Sequence, residues 1–169
     1  MNFTTWLESE ETHPVIKLSL IAGKYGWKYE PPSIEMETNP AAFSDGDVYP
    51  TLVSPQGIKI ALDASDRYKY NNHVRIGSSW DVKPDRVTVA AVLSPGELRG
   101  QGAATAAMKQ LQEMAKSLGM RLVGEPVQMK KFKDKKSLST KQLVAWYKRL
   151  GWVSRVEGDD SVLEYRPNS

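Results

Sequence analysis

The chain has 169 residues, 40% of them hydrophobic and 25% charged, with a formal net charge of +3. That length suits a single domain with a sizeable core, and the composition excludes both a disordered chain and a membrane protein. No cysteine is present, which removes disulfides, thiolate metal ligands and a cysteine nucleophile from consideration.

Taken in chain order, the opening residues Met1 to Glu8 lack a basic stretch followed by an apolar one, so no signal peptide is expected. No apolar run approaches the roughly 20 residues that a membrane-spanning helix needs. A cytoplasmic protein is the resulting expectation. Thr4 or Thr5 is placed to cap a short helix through Glu11, with Glu8 completing a capping box. The two histidines, His13 and His73, have no metal-ligand spacing, so no metal site is expected. Residues Val15 to Ile21 fit two periods. Ile16, Leu18 and Leu20 alternate as in a strand, whereas Val15, Leu18, Ile21 and Tyr25 are spaced as on a helix. Up to residue 45 the chain is otherwise irregular, broken by Pro31-Pro32, Pro40 and Asp45-Gly46.

Four β-rich segments follow: Val48 to Val53, Gly57 to Ala64, Val74 to Trp80 and Arg86 to Leu93. The breakers between them suit an antiparallel meander. Residues Val87 to Leu93 are nearly all apolar, as in a strand buried on both faces. A helix is predicted from Gly102 to Leu118, with Met108, Leu111, Ala115 and Leu118 on its apolar stripe and Lys109, Gln112, Glu113 and Lys116 off it. Gly119 ends it. Arg121 to Met129 reads as a strand, Ser139 to Leu150 as a helix, and Gly151 onward as two strands turning at Gly158-Asp159-Asp160. The expected fold class is therefore α+β, a mixed and mostly antiparallel sheet with one parallel pair, flanked by helices.

The strongest chemical signal is the loop Arg99-Gly100-Gln101-Gly102-Ala103-Ala104. A helix N-terminus offers unpaired backbone N–H groups and partial positive charge, a natural seat for phosphate. Gly100, Gly102, Ala103 and Ala104 let an anion approach the backbone, and Arg99 adds a fixed charge. A Walker loop is excluded by the missing Gly-Lys-[Ser/Thr]. A Rossmann fingerprint would need a third glycine and a tighter strand-to-glycine link.

This loop resembles the coenzyme motif of the GNAT N-acetyltransferase superfamily, [Gln/Arg]-x-x-Gly-x-[Gly/Ala], matched by Arg99, Gly102 and Ala104. The lead-in Leu93 to Gly100 is similar to the family's strand–Pro-Glu-apolar-Arg-Gly approach. Independently, Ala145-Trp146-Tyr147-Lys148-Arg149-Leu150-Gly151-Trp152 resembles the family's Ala-x-x-Tyr-Glu-Lys-Leu-Gly-Phe segment. The resemblance covers residues 86 to 166 best, the meander more loosely, and residues 1 to 45 not at all. It implies a single acetyltransferase domain over 1–169, with a central parallel pair splayed at the coenzyme site and an atypical N-terminal segment.

The resemblance also implies roles. Acetyl-CoA would be the cosubstrate and an amine, on a protein, a peptide or a small molecule, the acceptor. The pyrophosphate would sit on the amides of Gly100 to Ala104, and the pantetheine arm would pair along Val92 and Leu93. An N–H near Leu93 would stabilise the oxyanion. Tyr147 stands where many members place the general acid, although a tyrosine beside Leu143, Trp146 and Leu150 also reads as packing. Glu125 is the best candidate for general base, and a strand-end glutamate or a water chain is the competing reading. Tyr25, Trp27 and Tyr29, with Tyr68 and Tyr70, read as core or as an acceptor pocket. Two departures from the family are Thr140, where an asparagine is usual, and the long basic connection from Lys130 to Lys136.

That connection holds Lys130, Lys131, Lys133, Lys135 and Lys136. It reads as a solvated loop, as a contact to the coenzyme's 3′-phosphate, or as a guide for nucleic acid or an acidic protein. Phe132 alone is too little for a base-stacking platform. A nucleic-acid-binding or nucleic-acid-modifying protein of this fold is thus the less favoured alternative. No membrane partner is expected, and nothing in the sequence identifies an oligomeric state.

Overall fold

The computed structural model describes residues 14–30, 50–63, 85–96, 102–126 and 138–167. Within them lie three helices, α1 (Pro14–Lys24), α2 (Ala103–Ser117) and α3 (Thr140–Arg149). The strands are β1 (Lys28–Glu30), β2 (Thr51–Val53), β3 (Lys59–Asp63), β4 (Arg86–Leu93), β5 (Arg121–Gly124), β6 (Val153–Val156) and β7 (Asp159–Tyr165). They form one seven-stranded sheet in the order β1-β2-β3-β4-β5-β7-β6. Only β4 and β5 run parallel; every other neighbouring pair is antiparallel. This is the mixed α+β sheet expected from the sequence. No helix among the described residues is long and apolar enough to cross a membrane.

The segment from Val15 to Ile21, which fits two periods, is helical. Pro14 takes its first position, where the missing N–H costs nothing. Val15, Leu18 and Ala22 are buried on one face, while Leu20, required inside by the strand reading, is 61% exposed. After Gly26 at positive φ, Trp27 enters the core and the short β1 begins, an edge strand that the sequence reading did not anticipate. Trp27 donates its indole N–H to Gln110 on α2, so of the clustered N-terminal aromatics it is a packing residue. Tyr25 and Tyr29 are exposed, and Tyr68 and Tyr70 lie outside the described residues.

The strands are shorter than predicted. Among the described residues, the strand in the 48–53 segment begins at Thr51, and that in the 121–129 segment ends at Gly124. The predicted strand at 74–80, the helix near residues 4–11 and the lysine-rich connection 130–136 lie outside the described residues. Strand β4 is buried on both faces over Val87, Thr88 and Val89, as its apolar run requires.

One core joins the sheet to all three helices, with Leu18, Ile60, Val87, Met108, Leu111, Leu122 and Leu163 fully or almost fully buried. One reading of α2 is corrected. Gln112 is not on the solvent side but 7% exposed. It lies four residues after Met108 and three before Ala115, on the buried arc. Its amide donates to the Leu150 carbonyl at 3.0 Å and accepts from the Trp152 indole at 2.9 Å. The junction between α3 and β6 is thereby fastened to α2, with both buried polar groups satisfied.

The opposite face of the sheet carries a buried carboxylate. Glu164 on β7 takes one guanidinium on each oxygen, Arg155 Nε at 2.7 Å and Arg166 Nε at 3.0 Å. Burial alone pushes this carboxyl up, but the two arginines outweigh it and hold it below its ordinary value of 4.5. A depressed folded value means the stabilisation is present above the unfolded pKa and is lost as pH falls through the folded one. Glu164→Gln is therefore expected to be less stable than wild type at neutral pH. The gap should close below about pH 4.5. Urea unfolding of both proteins at several pH values between neutral and 3 checks this; a gap independent of pH would contradict it.

Candidate active site

Two strands that run parallel must stay in register to keep their backbone groups paired. Strands β4 and β5 do so for four rungs, from Arg86↔Arg121 to Val89↔Gly124. Strand β4 then continues to Leu93, bonded among the described residues only to β3. The cause is visible on the β3 side. Ala61 pairs with Ala91 but Leu62 with Val89, so Ala90 is an extra residue, a β-bulge. A bulge bends its strand and increases the local twist. It coincides with the last β4–β5 rung, so the far half of β4 turns away from β5. Val92 and Leu93, the expected pantetheine contacts, lie on this departing half and are half-buried.

Helix α2 opens beyond that half. Its N-cap is Gly102, at φ 76° and ψ 5° in the left-handed region, a conformation that costs residues with a Cβ roughly 1–2 kcal/mol. The glycine is needed here for its backbone conformation; a Cβ placed there would have nothing within 4 Å among the described residues. Among the described residues no side chain caps this terminus, and no acidic residue stands in its first turn. The amides around Ala103 and Ala104 therefore keep their donor capacity and the positive end of the helix dipole. Helix α3 is the opposite case. Ser139 and Gln142 close a full capping box on its start. Arg99, Gly100 and Gln101, the rest of the expected anion loop, lie outside the described residues.

Tyr147, on the last turns of α3, is 6% exposed. Its ring contacts two indoles, Trp146 with centroids 5.1 Å apart at 63° and Trp152 at 4.7 Å and 56°. The end of the ring reaches the strand gap. A Cβ built on Gly124 would meet the Tyr147 Cζ at 3.7 Å and the Trp152 Cζ3 at 3.2 Å. Gly124 is the β5 half of the final parallel rung, and only hydrogen in place of a side chain lets two aromatic rings close over it. Burial raises the Tyr147 phenol well above its ordinary value, so it stays protonated. Among the described residues its hydroxyl has no hydrogen-bond partner. Glu125 follows Gly124 directly and is half-buried.

The structure thus brings the Tyr147 ring over Gly124, the residue before Glu125, at the last rung that β4 shares with β5. Trp146 and Trp152, both within the second motif, contact the Tyr147 ring, and their bonds to Thr105 and Gln112 were not singled out from sequence. The buried position of Gln112 was available from helical spacing; the partners of the two indoles were not. No group of three or more histidine, aspartate and glutamate side chains is arranged to hold a metal among the described residues.

No protein-family model matches the chain, and no curated protein matches it in sequence. Several solved structures follow a similar backbone path. The AtaTR structure bound with AcCoA shares 14% identity over 79% of this chain and 77% of that one, with a TM-score of 0.44. AtaT complexed with acetyl-methionyl-tRNAfMet gives 17% identity, 69% of each chain and a TM-score of 0.39. The KacTA–DNA complex gives 15% identity, 70% of this chain and 66% of that one, with a TM-score of 0.40. These are likenesses of chain path at low identity, and the chemistry proposed below rests on the residues of this chain.

Gly124 offers a direct check on the packing. Gly124→Ala forces the Trp152 ring back by a few tenths of an ångström, an overpacking cost of about 1–3 kcal/mol. At this chain length that lowers the melting midpoint by about 2–4 °C per kcal/mol. The near-ultraviolet aromatic spectrum should change with it. A variant with wild-type melting and spectrum would mean the rings do not close over Gly124.

Proposed function

We propose that the chain is an acetyl-CoA-dependent N-acetyltransferase acting on a primary amine of a protein, peptide or small molecule. One observation carries the reading: β4 leaves β5 after the Val89–Gly124 rung, and the protonated end of Tyr147 lies over that rung. A thioester arm laid along Ala91 to Leu93 as an added strand would bond backbone groups that β5 does not reach, and its sulfur would come to the Gly124 end of the gap. The uncapped start of α2, with Arg99, would take the pyrophosphate.

In this reading the amine nitrogen attacks the thioester carbonyl carbon, and a C–N bond forms as the C–S bond breaks. A backbone N–H near Leu93 stabilises the developing oxyanion. Tyr147 donates its hydroxyl hydrogen bond to the departing sulfur. Glu125, or water beside it, accepts the proton that the nitrogen loses and returns it through water to the departing thiolate. The products are the amide and the free thiol. The half-buried Val92 and the packed aromatic side chains on the other wall keep bulk water from the thioester.

Calorimetric titration with acetyl-CoA and with CoA tests the donor site, beside an Arg99→Ala, Gly102→Asp variant. Aspartate tolerates the left-handed region better than most residues, so the variant should fold while placing a carboxylate where the pyrophosphate is expected. Micromolar-range binding by wild type, abolished in the variant, is the expected result. A folded wild type that binds neither compound would sink the reading. A screen of amines, peptides and charged tRNA then identifies the acceptor. With an acceptor in hand, Tyr147→Phe should lower kcat roughly a hundredfold, the lower end of what positioned proton donors contribute, with the acetyl-CoA Kd changed by less than about twofold.

A further inference from the structure

A buried phenol that must meet a leaving atom needs its ring held in one orientation. Helix position alone does not supply that, because a tyrosine keeps two side-chain rotations. Around Tyr147 the holding is done by two indoles, and each is itself anchored. Trp146 donates its N–H to the Thr105 hydroxyl at 2.8 Å. Trp152 donates its own to the Gln112 side-chain oxygen at 2.9 Å. Dispersion would let a flat ring slide or rock in its slot, whereas a directed N–H bond fixes which edge points where.

Both anchors belong to α2. Thr105 and Gln112 are seven residues apart, two turns and about 10 Å along the axis at 1.5 Å per residue. Thr105 lies in the first turn, next to the uncapped amides of Ala103 and Ala104. The tether to Trp146 and the expected anion seat therefore share one turn of helix. The second tether sits deeper, where Gln112 also bonds the Leu150 carbonyl at the end of α3.

We propose that Trp146 and Trp152 are positioning residues, an aromatic clamp tethered at Thr105 and Gln112 that fixes the Tyr147 ring at the gap between β4 and β5. In consequence the proton donor and the helix that would hold the donor's pyrophosphate are one rigid unit. This last consequence rests on the acetyltransferase reading, whereas the clamp rests on the contacts themselves. A shift of the first turn of α2 when an anion binds would reach Tyr147 through one hydrogen bond and one ring contact.

The tether at Thr105 is open to a mild test in the full chain. Thr105→Val keeps the branched shape and removes the acceptor; Thr105→Ser keeps the acceptor and loses only a methyl group. The ring-proton shifts of Tyr147, assigned by their loss in Tyr147→Phe, should move in Thr105→Val and return in Thr105→Ser. Steady-state kinetics should show kcat down roughly tenfold or more in the valine variant, since small misplacements of a reacting group carry costs of this size. The acetyl-CoA Kd should stay within about twofold, and serine should restore most of the loss. Wild-type Tyr147 shifts in Thr105→Val would overturn the clamp, whatever the kinetics. Moved shifts with unchanged kcat would overturn its positioning role. A wild type that acetylates no acceptor at all would remove the acetyltransferase reading, and the ring shifts would still decide the clamp.

Discussion

Backbone groups that leave a sheet must find partners elsewhere, because a buried N–H or C=O without one costs about as much as a lost hydrogen bond. That constraint governs the end of the β4–β5 pairing. With four rungs of parallel pairing and then a bulge at Ala90, the strands separate inside the fold rather than at its rim. The groups that β5 no longer reaches define where an extended ligand could complete the sheet. The rest of the site is arranged around this gap: Gly124 on one side, the departing half of β4 on the other, α2 beyond it and Tyr147 above.

The helices show the same logic in electrostatic form. Helix α3 begins with Ser139 and Gln142 satisfying each other's backbone N–H groups, so its start is chemically closed. Helix α2 begins at a left-handed glycine with, among the described residues, no side-chain cap and no acid in the first turn. A single chain that caps one helix fully and leaves another bare does not lack the residues for capping. The bare terminus retains its partial positive charge, and an anion recovers the stabilisation that a cap would otherwise give. The left-handed glycine and the small residues after it serve the same end, since bulk at these positions would screen the amides.

Much of this was legible before any coordinates. Gly102 and Gly119 bracket α2 in the sequence, the helix from Ser139 was read there too, and the run Val87 to Leu93 is apolar enough for a strand buried on both faces. The motif residues Gly102, Ala103 and Ala104 open α2, and Tyr147 lies against Gly124. What escaped the sequence has physical reasons. The segment at Val15 fits two periods because seven residues are too few to separate 3.6 from 2; the exposure of Leu20 and the Pro14 start decide it. Gln112 was set off the apolar stripe, although its spacing from Met108 places it on the buried arc. The bonds of Trp146 to Thr105 and of Trp152 to Gln112 join residues 41 and 40 positions apart. Contacts of that separation leave no periodic trace, so the clamp around Tyr147 could be seen only in three dimensions.

The environment of Tyr147 also bears on what kind of acid it would be. Burial raises its phenol above the ordinary tyrosine value, while an ordinary thiol titrates near 8.5. Complete transfer of the phenolic proton to a free thiolate is therefore uphill at neutral pH. The proton donor in such a site is then most effective as a hydrogen-bond donor to a sulfur still gaining charge, the stage at which a dry pocket strengthens the bond. The proton that finally resides on the thiol has a ready source in the nitrogen, which must lose one to become an amide. A donor that lends a hydrogen bond without parting with its proton gains little from an adjusted pKa and much from a fixed position, and position is what two anchored indoles supply.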